Sequence, residues 1–314
     1  MMYINSVSAF LPKFIADNKY FEKTAGVSSD WIINRTGIHE RRKCGPGENT
    51  NTMAWESTKK LLTQLPKNHQ FDMIIGATYT PHDTIVTLAH YVQNKLSIPN
   101  IPVVSISTAC SSILNAFEIA MGYFAMGRAE KVLIVASDQN SAYYDEKDKL
   151  GGLLWGDGSV AFAVSKTKLY EKDLEVTYLK TGGIANVSQA VKAINLRPAT
   201  RELQMNAGKD IFMQACSYMK LASLEALDIC GLTVSDIDYF IPHQANLRIS
   251  LYVQQELQLP KEKLVSNIEY YGNTGCCGFG IGLAEKYPDL KKGENVLATV
   301  FGGGYSYGAM MIKV

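Results

Sequence analysis

The stretch IPVVSISTACSSILNAFEIAMGYFAMG, residues 101–127, runs from a strand through a tight turn into a long helix. Residues 101–107 are apolar and β-branched and too few for a helix, which is typical of a buried parallel strand. Residues 112–127 have the length and apolar content of a helix that lies in a core. Cys110 stands between them among small polar residues. Because open α/β sheets bind ligands at such strand-to-helix turns, this stretch predicts an α/β fold with Cys110 at its functional edge.

Similar segments alternate along the rest of the chain. The predicted strands are FDMIIGAT (71–78), KVLIVAS (131–137), SVAFAVS (159–165), DYFIPHQ (238–244) and NVLATVF (295–301). The predicted helices cover residues 87–97, 212–231 and 247–259. Strands that alternate with helices predict sheets covered on both faces. The polar segment 166–210 is interpreted as the junction between two parts of the chain.

The order of these elements occurs twice. An Asp-led strand, a helix, a small-residue turn that opens a second helix, and two further strands occur first around STACSS (107–112) and again around GNTGCC (272–277). This repeat predicts two pseudo-equivalent halves, residues 1–170 and 171–314, with the site between them. The two turns would then occupy equivalent positions at the carboxyl ends of strands.

Composition excludes several classes of protein. Among 314 residues, Lys+Arg number 31 and Asp+Glu number 30, so there is no electrostatic footprint for nucleic acid. No apolar stretch is long enough for a membrane span, and residues 1–20 lack the features of a signal peptide. The six cysteines include no CxxC pair, which argues against a metal site and for free thiols. We therefore expect a soluble cytoplasmic protein of one or two domains.

Three side chains are candidates for chemistry. Cys110 lies at a helix start, where unpaired N–H groups and the helix dipole stabilise a thiolate. His243 follows Pro242 at the end of a predicted strand, and Asn273 lies in a glycine-rich turn. Each has a structural interpretation when taken alone: a small residue at a crowded junction, a buried histidine, and an ordinary turn. Their convergence on one sheet edge favours a shared site, and the glycines at 302–304 can bring a backbone N–H to an oxyanion.

Six stretches, in order, resemble the β-ketoacyl-acyl-carrier-protein synthase III family of the thiolase superfamily. They are DWIINRTGIHERR (30–42), STACSS (107–112), WGDGSVAF (155–162), IPHQANLRI (241–249), YGNTGCCG (271–278) and FGGGYSYGA (301–309). The resemblance extends over essentially the whole chain. It implies a thiolase fold, α/β in class, with five αβαβα layers and two thiolase-like halves, which agrees with the internal repeat.

The resemblance also implies a reaction. Cys110 would accept an acyl group from acyl-CoA or an acyl-carrier protein, and a decarboxylative Claisen condensation with malonyl-ACP would follow, as in the initiation of fatty-acid biosynthesis. His243 and Asn273 would activate the second substrate, and the N–H groups of Cys110 and Gly303 would form the oxyanion hole. A CoA thioester is then a substrate, with no cofactor and no metal implied. A homodimer is implied as well.

Four residues match family positions that contact CoA. Trp31 and Arg35 match positions at its nucleotide end, and Asn246 matches one near the pantetheine. Lys149 stands where the family commonly has an arginine that encloses the adenine together with the tryptophan. Because lysine lacks a planar guanidinium, this departure puts CoA affinity or donor preference in question.

Two further residues carry family roles. Arg248 matches a basic residue implicated in docking the carrier protein, and Ile85 lies in a loop expected to reach the acyl pocket of the dimer partner. Cys276 and Cys277 depart from the small residues expected after Asn273, and we interpret them as packing residues. These departures leave open a specialised synthase or acyltransferase of secondary metabolism, of the alkylresorcinol, polyene or quinolone type.

Three rival classes share some of these features. The separation of Cys110 from His243 overlaps that of papain-like proteases, but Ser111 stands where those enzymes have an aromatic residue. The glycines at 275–282 do not match a dinucleotide-binding motif. A non-catalytic partner subunit is the more serious alternative, and intact Cys110, His243 and Asn273 argue against it.

Overall fold

The structure is a computed structural model that describes residues 2–314. Its strands are β1 Met2–Phe10, β2 Phe14–Asp17, β3 Glu40–Lys43, β4 Met73–Ala77, β5 Val103–Ile106, β6 Lys131–Asp138, β7 Gly158–Ser165, β8 Leu174–Gly183, β9 Ile194–Arg197, β10 Glu202–Met205, β11 Tyr239–Pro242, β12 Asn295–Gly302 and β13 Ser306–Lys313. Its α-helices are α1 Asn18–Ala25, α2 Ser29–Thr36, α3 Thr50–Leu62, α4 Leu88–Leu96, α5 Ser112–Ala125, α6 Gly208–Cys230, α7 Leu247–Glu256, α8 Ile268–Tyr271 and α9 Gly278–Lys286.

Nine strands share one hydrogen-bonded order, β11-β12-β13-β8-β1-β7-β6-β4-β5. The central strands β1 and β8 pair over only three residues, 2–4 with 174–176. The order is the same on each side of this pair: β1-β7-β6-β4-β5 in one half and β8-β13-β12-β11 in the other. A bridge between Phe240 and Leu264 takes the position that the β4–β5 pairing has in the first half. This repeat supports our interpretation of two halves that divide between β7 and β8.

Successive side chains of a strand point to opposite faces of the sheet and so pack into two different layers. On β6, Val132 and Ile134 belong to the central core, while Leu133 and Val135 pack with α3 and α4 on the other face. This two-residue alternation is what a strand covered on both faces requires. The sequence therefore shows a nearly continuous apolar run here.

Helices α5 and α9 form the central layer. Phe162 on β7 contacts Phe117 of α5 with ring centroids 5.1 Å apart and stacks on Phe279 of α9 at 6.4 Å. Helices α3 and α4 cover the first half on its outer face, and α6 and α7 cover the second. The layers are thus αβαβα, as the family resemblance implies.

A cap of smaller elements packs over one end of this core. It contains α1, α2 and two hairpins, β2–β3 and β9–β10, around Phe21, Ile32 and Trp155. Arg41 of β3 is fully buried in it and donates through Nε to the carbonyl of Leu153 at 2.8 Å. Within the family-like stretch 30–42, Arg41 is therefore a structural residue.

The predicted strands and helices are confirmed to within a few residues at their ends. The segment 166–210, interpreted as a junction, contains the division between β7 and β8 and also the strands β8, β9 and β10, of which β8 lies at the centre of the nine-strand order. Among residues 2–314, none of the helices combines the length and apolar character that a bilayer span needs.

Candidate active site

The turn before α5 is held in an uncommon backbone conformation. Ala109 has φ +52°, in the left-handed region, so the chain reverses sharply just before Cys110. The Ser112 hydroxyl accepts from the Thr108 N–H at 2.8 Å and donates to the Ala109 carbonyl at 2.6 Å. Ser111 Oγ donates to the Thr108 carbonyl at 2.9 Å. The small hydroxyl residues of STACSS therefore fix the turn that presents Cys110.

The glycine-rich end of β12 faces this turn. The backbone N–H of Gly303 donates to the sulfur of Cys110. A Cβ at Gly302 would lie 2.8 Å from the Cys110 nitrogen and 3.1 Å from the Ser111 nitrogen, so only glycine fits there. The Gly303 N–H therefore lies at the sulfur, and the backbone of β12 packs closely against the nitrogens of Cys110 and Ser111.

His243 follows β11 from the second half. Its backbone N–H donates to the Thr299 carbonyl at 2.7 Å, and the residue is only 4% exposed. The neighbouring Gln244 is fully buried and donates through Nε2 to the Pro242 carbonyl at 2.7 Å, which fixes the loop. Burial lowers the pKa of His243 to about 4. The imidazole is therefore neutral near pH 7 and retains one N–H to donate.

Two backbone hydrogen bonds fix the position of Asn273. Its N–H donates to the Leu154 carbonyl at 2.7 Å, and its carbonyl accepts from the Gly156 N–H at 3.0 Å. The side-chain Oδ1 accepts from the Gly275 N–H at 3.0 Å. Within the described residues no acceptor engages Nδ2, so this amide group remains able to donate to a ligand.

Cys110, His243 and Asn273 line one cavity with about 710 Å³ of empty space. Gly303 and Asn246 line it too. Much of the remaining wall is apolar and comes from α6 and the cap; it includes Leu154, Trp155, Ile211, Phe212, Ala215 and Met219. A largely apolar cavity lined by one sulfur and two hydrogen-bond donors suits a thioester on a long flexible arm.

The expectation that Cys110 rests as a thiolate is wrong. Burial raises the pKa of its thiol strongly, and Asp138 and Cys277 raise it further. The hydrogen bonds from Gly303 and Tyr79 lower the pKa of Cys110, but burial outweighs them. Burial destabilises a thiolate here more than the helix N-terminus stabilises it. The resting group is therefore a neutral thiol.

Tyr79 is a site residue that the sequence reasoning missed. It follows β4, and its hydroxyl is a hydrogen-bond partner of the Cys110 sulfur. The same hydroxyl donates to Oδ1 of Asn140 at 2.6 Å. Asn140 in turn donates through Nδ2 to the carbonyl of Gly156 at 2.7 Å, close to the backbone of Asn273. The only signal in the sequence was that Tyr79 ends a predicted strand, as the other site residues do.

Asp138 connects the Tyr79 loop to the second turn. Its Oδ1 accepts from the Tyr79 N–H at 3.1 Å and from the hydroxyl of Thr80 at 2.9 Å, and its Oδ2 accepts from the Cys276 N–H at 2.8 Å. The side chain is fully buried, and burial raises the pKa of its carboxyl. Asp138 therefore positions both turns through hydrogen bonds that it already makes within the protein.

Cys276 and Cys277 lie in the central core. They are 1% and 0% exposed, and both are free thiols. Their sulfurs lie 3.6 Å from the Ala77 carbonyl and 3.3 Å from the Gly158 carbonyl. Their atoms and Asp138 lie within 4.8 Å of one another, a group that could hold an ion only by giving up these bonds. The contacts agree with the interpretation of both cysteines as packing residues.

Comparison with known proteins identifies the family. A family model described as 3-oxoacyl-[acyl-carrier-protein (ACP)] synthase III matches residues 104–183, and the model of its C-terminal region matches residues 227–314. A beta-ketoacyl-[acyl-carrier-protein] synthase III from Clostridium perfringens is 33% identical over 318 aligned positions, covering 97% of each chain. This chain belongs to the synthase III family.

Solved structures of synthase III proteins have the same fold. The enzyme from Aquifex aeolicus superposes with a TM-score of 0.92 at 29% identity and covers 100% of both chains. The priming β-ketosynthase of the R1128 polyketide pathway has a TM-score of 0.90 at 25% identity, covering 100% of this chain and 96% of that one. The thiolase-type fold and a condensing activity of the synthase III kind follow from these relationships.

The residues that match the CoA positions of synthase III are only partly brought together. Arg35 stacks on Trp31 within α2, its guanidinium carbon 4.6 Å from the ring centroid. Asn246 donates through Nδ2 to the Arg35 carbonyl at 3.2 Å and caps α7 by accepting from the Arg248 N–H at 2.9 Å. Lys149 lies exposed in a turn and does not line the cavity. Arg35, not Lys149, is the cation that contacts Trp31.

Arg248 and Ile85 lie on the surface. Arg248 is exposed at the start of α7, with its guanidinium 5.8 Å from the ring of Phe212 at the cavity wall. Ile85 is 83% exposed in a loop between β4 and α4, and it lines neither cavity next to Cys110. Its assignment to the acyl pocket requires a second chain and stays a prediction.

Proposed function

We propose that this chain loads an acyl group onto Cys110 and then condenses it with a malonyl thioester by decarboxylation. The observation that supports this most directly is the single cavity lined by Cys110, His243 and Asn273. In the proposed reaction Cys110 is the nucleophile, and His243 and Asn273, which come from the opposite half of the fold, are the neutral hydrogen-bond donors.

In the first step, the Cys110 sulfur attacks the carbonyl carbon of an acyl-CoA thioester. The new carbon–sulfur bond forms, the bond to CoA sulfur breaks, and the thiol proton leaves with the departing CoA. Negative charge on the carbonyl oxygen would be met by the N–H groups of Cys110 and Gly303. Loss of one such donor typically costs about 2.7–4 kcal/mol in transition-state stabilisation.

In the second step, the carbon–carbon bond to the carboxylate of a malonyl thioester breaks and CO2 leaves. The electron pair passes to the thioester oxygen as an enolate, which the neutral imidazole of His243 and Nδ2 of Asn273 stabilise by donating hydrogen bonds. The enolate carbon then attacks the acyl carbonyl, the bond to the Cys110 sulfur breaks, and the thiolate takes a proton from solvent. These steps balance without an external oxidant or reductant.

The partners that we propose are acyl-CoA as donor and an acyl carrier protein as the carrier of the malonyl group. We assign Arg248 to the contact with an acidic carrier; its exposure beside the cavity residues Asn246 and Ile249 supports this. We further propose a homodimer that covers the apolar loop of Ile85 and Val86, which are 83% and 52% exposed. The expected location of the protein is the cytoplasm.

The decisive experiment measures acyl loading by the mass of the intact protein. The wild type is incubated with acyl-CoA and acyl-carrier donors of different chain length, alongside Cys110→Ala and the matched control Cys230→Ala. Cys230 is a half-buried thiol at the end of α6, away from the cavity. Loading should persist in Cys230→Ala and vanish in Cys110→Ala. Equal loading of Cys110→Ala would overturn the assignment.

A second measurement separates the two half-reactions. His243→Ala and Asn273→Ala should still load the acyl group, because neither residue is needed to form the first thioester. Both should fail to release CO2 from a malonyl carrier thioester and to form the β-ketoacyl product. A chain that neither loads nor condenses would instead be a non-catalytic partner subunit.

One further candidate function is supported by a specific departure. Lys149 stands where the synthase III family commonly has an arginine, and the chain resembles a priming ketosynthase from a polyketide pathway at 25% identity. A synthase of secondary metabolism would load a donor other than acetyl-CoA. Preference for an acetyl group over all other donors in the loading experiment would exclude this candidate.

A further inference from the structure

Asn140 lies two residues after the end of β6 and is fully buried. Its side chain connects the surroundings of two site residues that come from different halves of the fold. Nδ2 donates to the carbonyl of Gly156 at 2.7 Å and to the carbonyl of Asn273 at 3.4 Å. Oδ1 accepts from the Tyr79 hydroxyl at 2.6 Å, and that hydroxyl is also a hydrogen-bond partner of the Cys110 sulfur.

The two backbone carbonyls fix which way the Asn140 amide faces. A carbonyl oxygen can only accept a hydrogen bond, so Nδ2 must point to Gly156 and Asn273, and Oδ1 must point to Tyr79. The Tyr79 hydroxyl therefore supplies the proton of its bond to Asn140. Burial raises the pKa of Tyr79 well above its usual value, so the hydroxyl keeps this one proton. Toward Cys110 it then presents lone pairs, to which the thiol S–H can donate.

This geometry leaves one proton for two acceptors. While Cys110 is a thiol, its sulfur is a weak acceptor, and the Tyr79 proton stays on the bond to Asn140. Once Cys110 ionises, the sulfur is a strong acceptor, and Tyr79 can donate to it only by giving up that bond. No other donor among residues 2–314 bonds Oδ1 of Asn140. This oxygen is then a buried acceptor without a partner, which costs free energy.

We propose that Asn140 is a positioning residue that competes with Cys110 for the Tyr79 proton, so that ionisation of the sulfur costs one buried hydrogen bond. In the proposed function, on which this consequence rests, the competition acts twice: when the sulfur attacks the acyl donor and when it leaves after condensation. Between these steps Tyr79 donates to Asn140, because neither a thiol nor a thioester sulfur is a strong acceptor. The competition itself involves only the side chains of Cys110, Tyr79 and Asn140.

Removal of the competing acceptor should make Cys110 more reactive. Leucine is close to asparagine in size and has no oxygen, so in Asn140→Leu the Tyr79 hydroxyl can donate to a thiolate without losing another bond. We expect alkylation of Cys110 by iodoacetamide, measured at one fixed pH from the mass of the Cys110 peptide, to rise by about tenfold. Asn5→Leu is the matched control, because Asn5 is a buried amide that makes two bonds through Nδ2 and lines neither cavity beside Cys110. It should leave the rate unchanged.

Two further variants separate competition from a general loosening of the site. In a Tyr79→Phe background there is no proton to compete for, so adding Asn140→Leu should leave the alkylation rate of that background unchanged. Asn140→Asp keeps an acceptor of the same shape, should hold the Tyr79 proton more firmly, and should be alkylated more slowly than wild type. A role in packing alone would change the rate in the same direction for both Asn140 variants. The other titratable groups near the sulfur, Asp138, Cys277 and His243, are present in every variant.

An alkylation rate of Asn140→Leu at or below that of wild type would overturn the proposal, as would an equal rise in the Tyr79→Phe background. If Asn140→Leu does not fold, Asn140→Asp decides: alkylation as fast as in wild type would overturn it. Acyl loading of the wild type is measured alongside. Failure of every acyl donor to load would count against the proposed function, while the alkylation rates, which need no acyl donor, still test the competition. The two kinds of failure are therefore distinguishable.

Discussion

The hydroxyl of Tyr79 is a hydrogen-bond partner of the Cys110 sulfur while it donates to Asn140 at 2.6 Å. The ring has room because Gly275 lacks a side chain: a Cβ there would lie 2.6 Å from the Tyr79 oxygen. Cys110 of the first half is thus packed against a tyrosine that fits beside a glycine from the equivalent turn of the second half. The two halves define the environment of the sulfur together.

Removal of that hydroxyl should slow the reactions of Cys110. When Cys110 ionises, the Tyr79 hydroxyl can turn its proton from Asn140 to the sulfur, and this hydrogen bond lowers a thiol pKa that burial has raised. Tyr79→Phe should therefore raise the pKa of Cys110 further and reduce the thiolate fraction at any given pH. We expect alkylation by iodoacetamide to fall by about tenfold across pH 7–9. Tyr143→Phe is the control, because that hydroxyl donates to the Pro81 carbonyl at 2.9 Å. Equal alkylation of Tyr79→Phe and wild type would contradict the role of the bond.

Gly302 should be intolerant of a methyl group. The Cβ of Gly302→Ala would lie 2.8 Å from the Cys110 nitrogen, and backbone cannot yield as a flexible side chain can. Displacement of the N–H groups around the sulfur should lower the rate of acyl loading by about 10²–10³-fold. Gly183→Ala, at the end of β8 with nothing within 4 Å of the added carbon, should load normally. Wild-type loading by Gly302→Ala would show that these N–H groups do not form the oxyanion hole.

The sequence predicts most of this fold because its strands are covered on both faces. Residues 131–137 and 159–165 are almost wholly buried, so they read as continuous apolar runs. Strand β8, 174–183, was missed because most of its residues beyond the first three are partly or fully exposed, so the segment reads as polar. A hydrophobic pattern in the sequence identifies a strand only when the strand's own side chains are buried. β8 forms a strand because it pairs with β1 and β13, and the sequence of β8 does not show this pairing.

The sequence predicts those site residues whose position at a strand end or helix start can be recognised from their neighbours in the chain. Cys110, His243 and Asn273 were identified because each ends a strand or opens a helix, and the structure brings them to one cavity. The charge state of Cys110 was predicted wrongly, because helix position is visible in sequence and desolvation is not. Tyr79 was missed for a related reason: its contact with the sulfur exists only after β4 has paired with β5, the strand that leads to Cys110.

Gly275 should be costly to replace. It has φ +64°, and an added Cβ would lie 2.3 Å from Asp138 Oδ2. Gly231 has a nearly equal φ of +66° with nothing within 4 Å, so Gly231→Ala isolates the backbone strain. We expect about 1 kcal/mol of destabilisation for Gly231→Ala and about 3–5 kcal/mol for Gly275→Ala, measured as the free energy of unfolding in urea. Similar losses for the two variants would mean that the Asp138 loop moves aside without cost.

The buried imidazole of His243 should make the folded protein less stable in mild acid. Its pKa is about 4 in the folded chain and near 6.5 when unfolded. Between these values the unfolded chain binds a proton that the folded chain does not, so the free energy of unfolding falls as the pH drops from 6.5 toward 4. This one group should contribute up to about 3 kcal/mol of that fall. Urea unfolding across this pH range should show a shallower decline for His243→Gln than for wild type, since all other titrating groups are common to both. Parallel declines would show that the imidazole is not held neutral by burial.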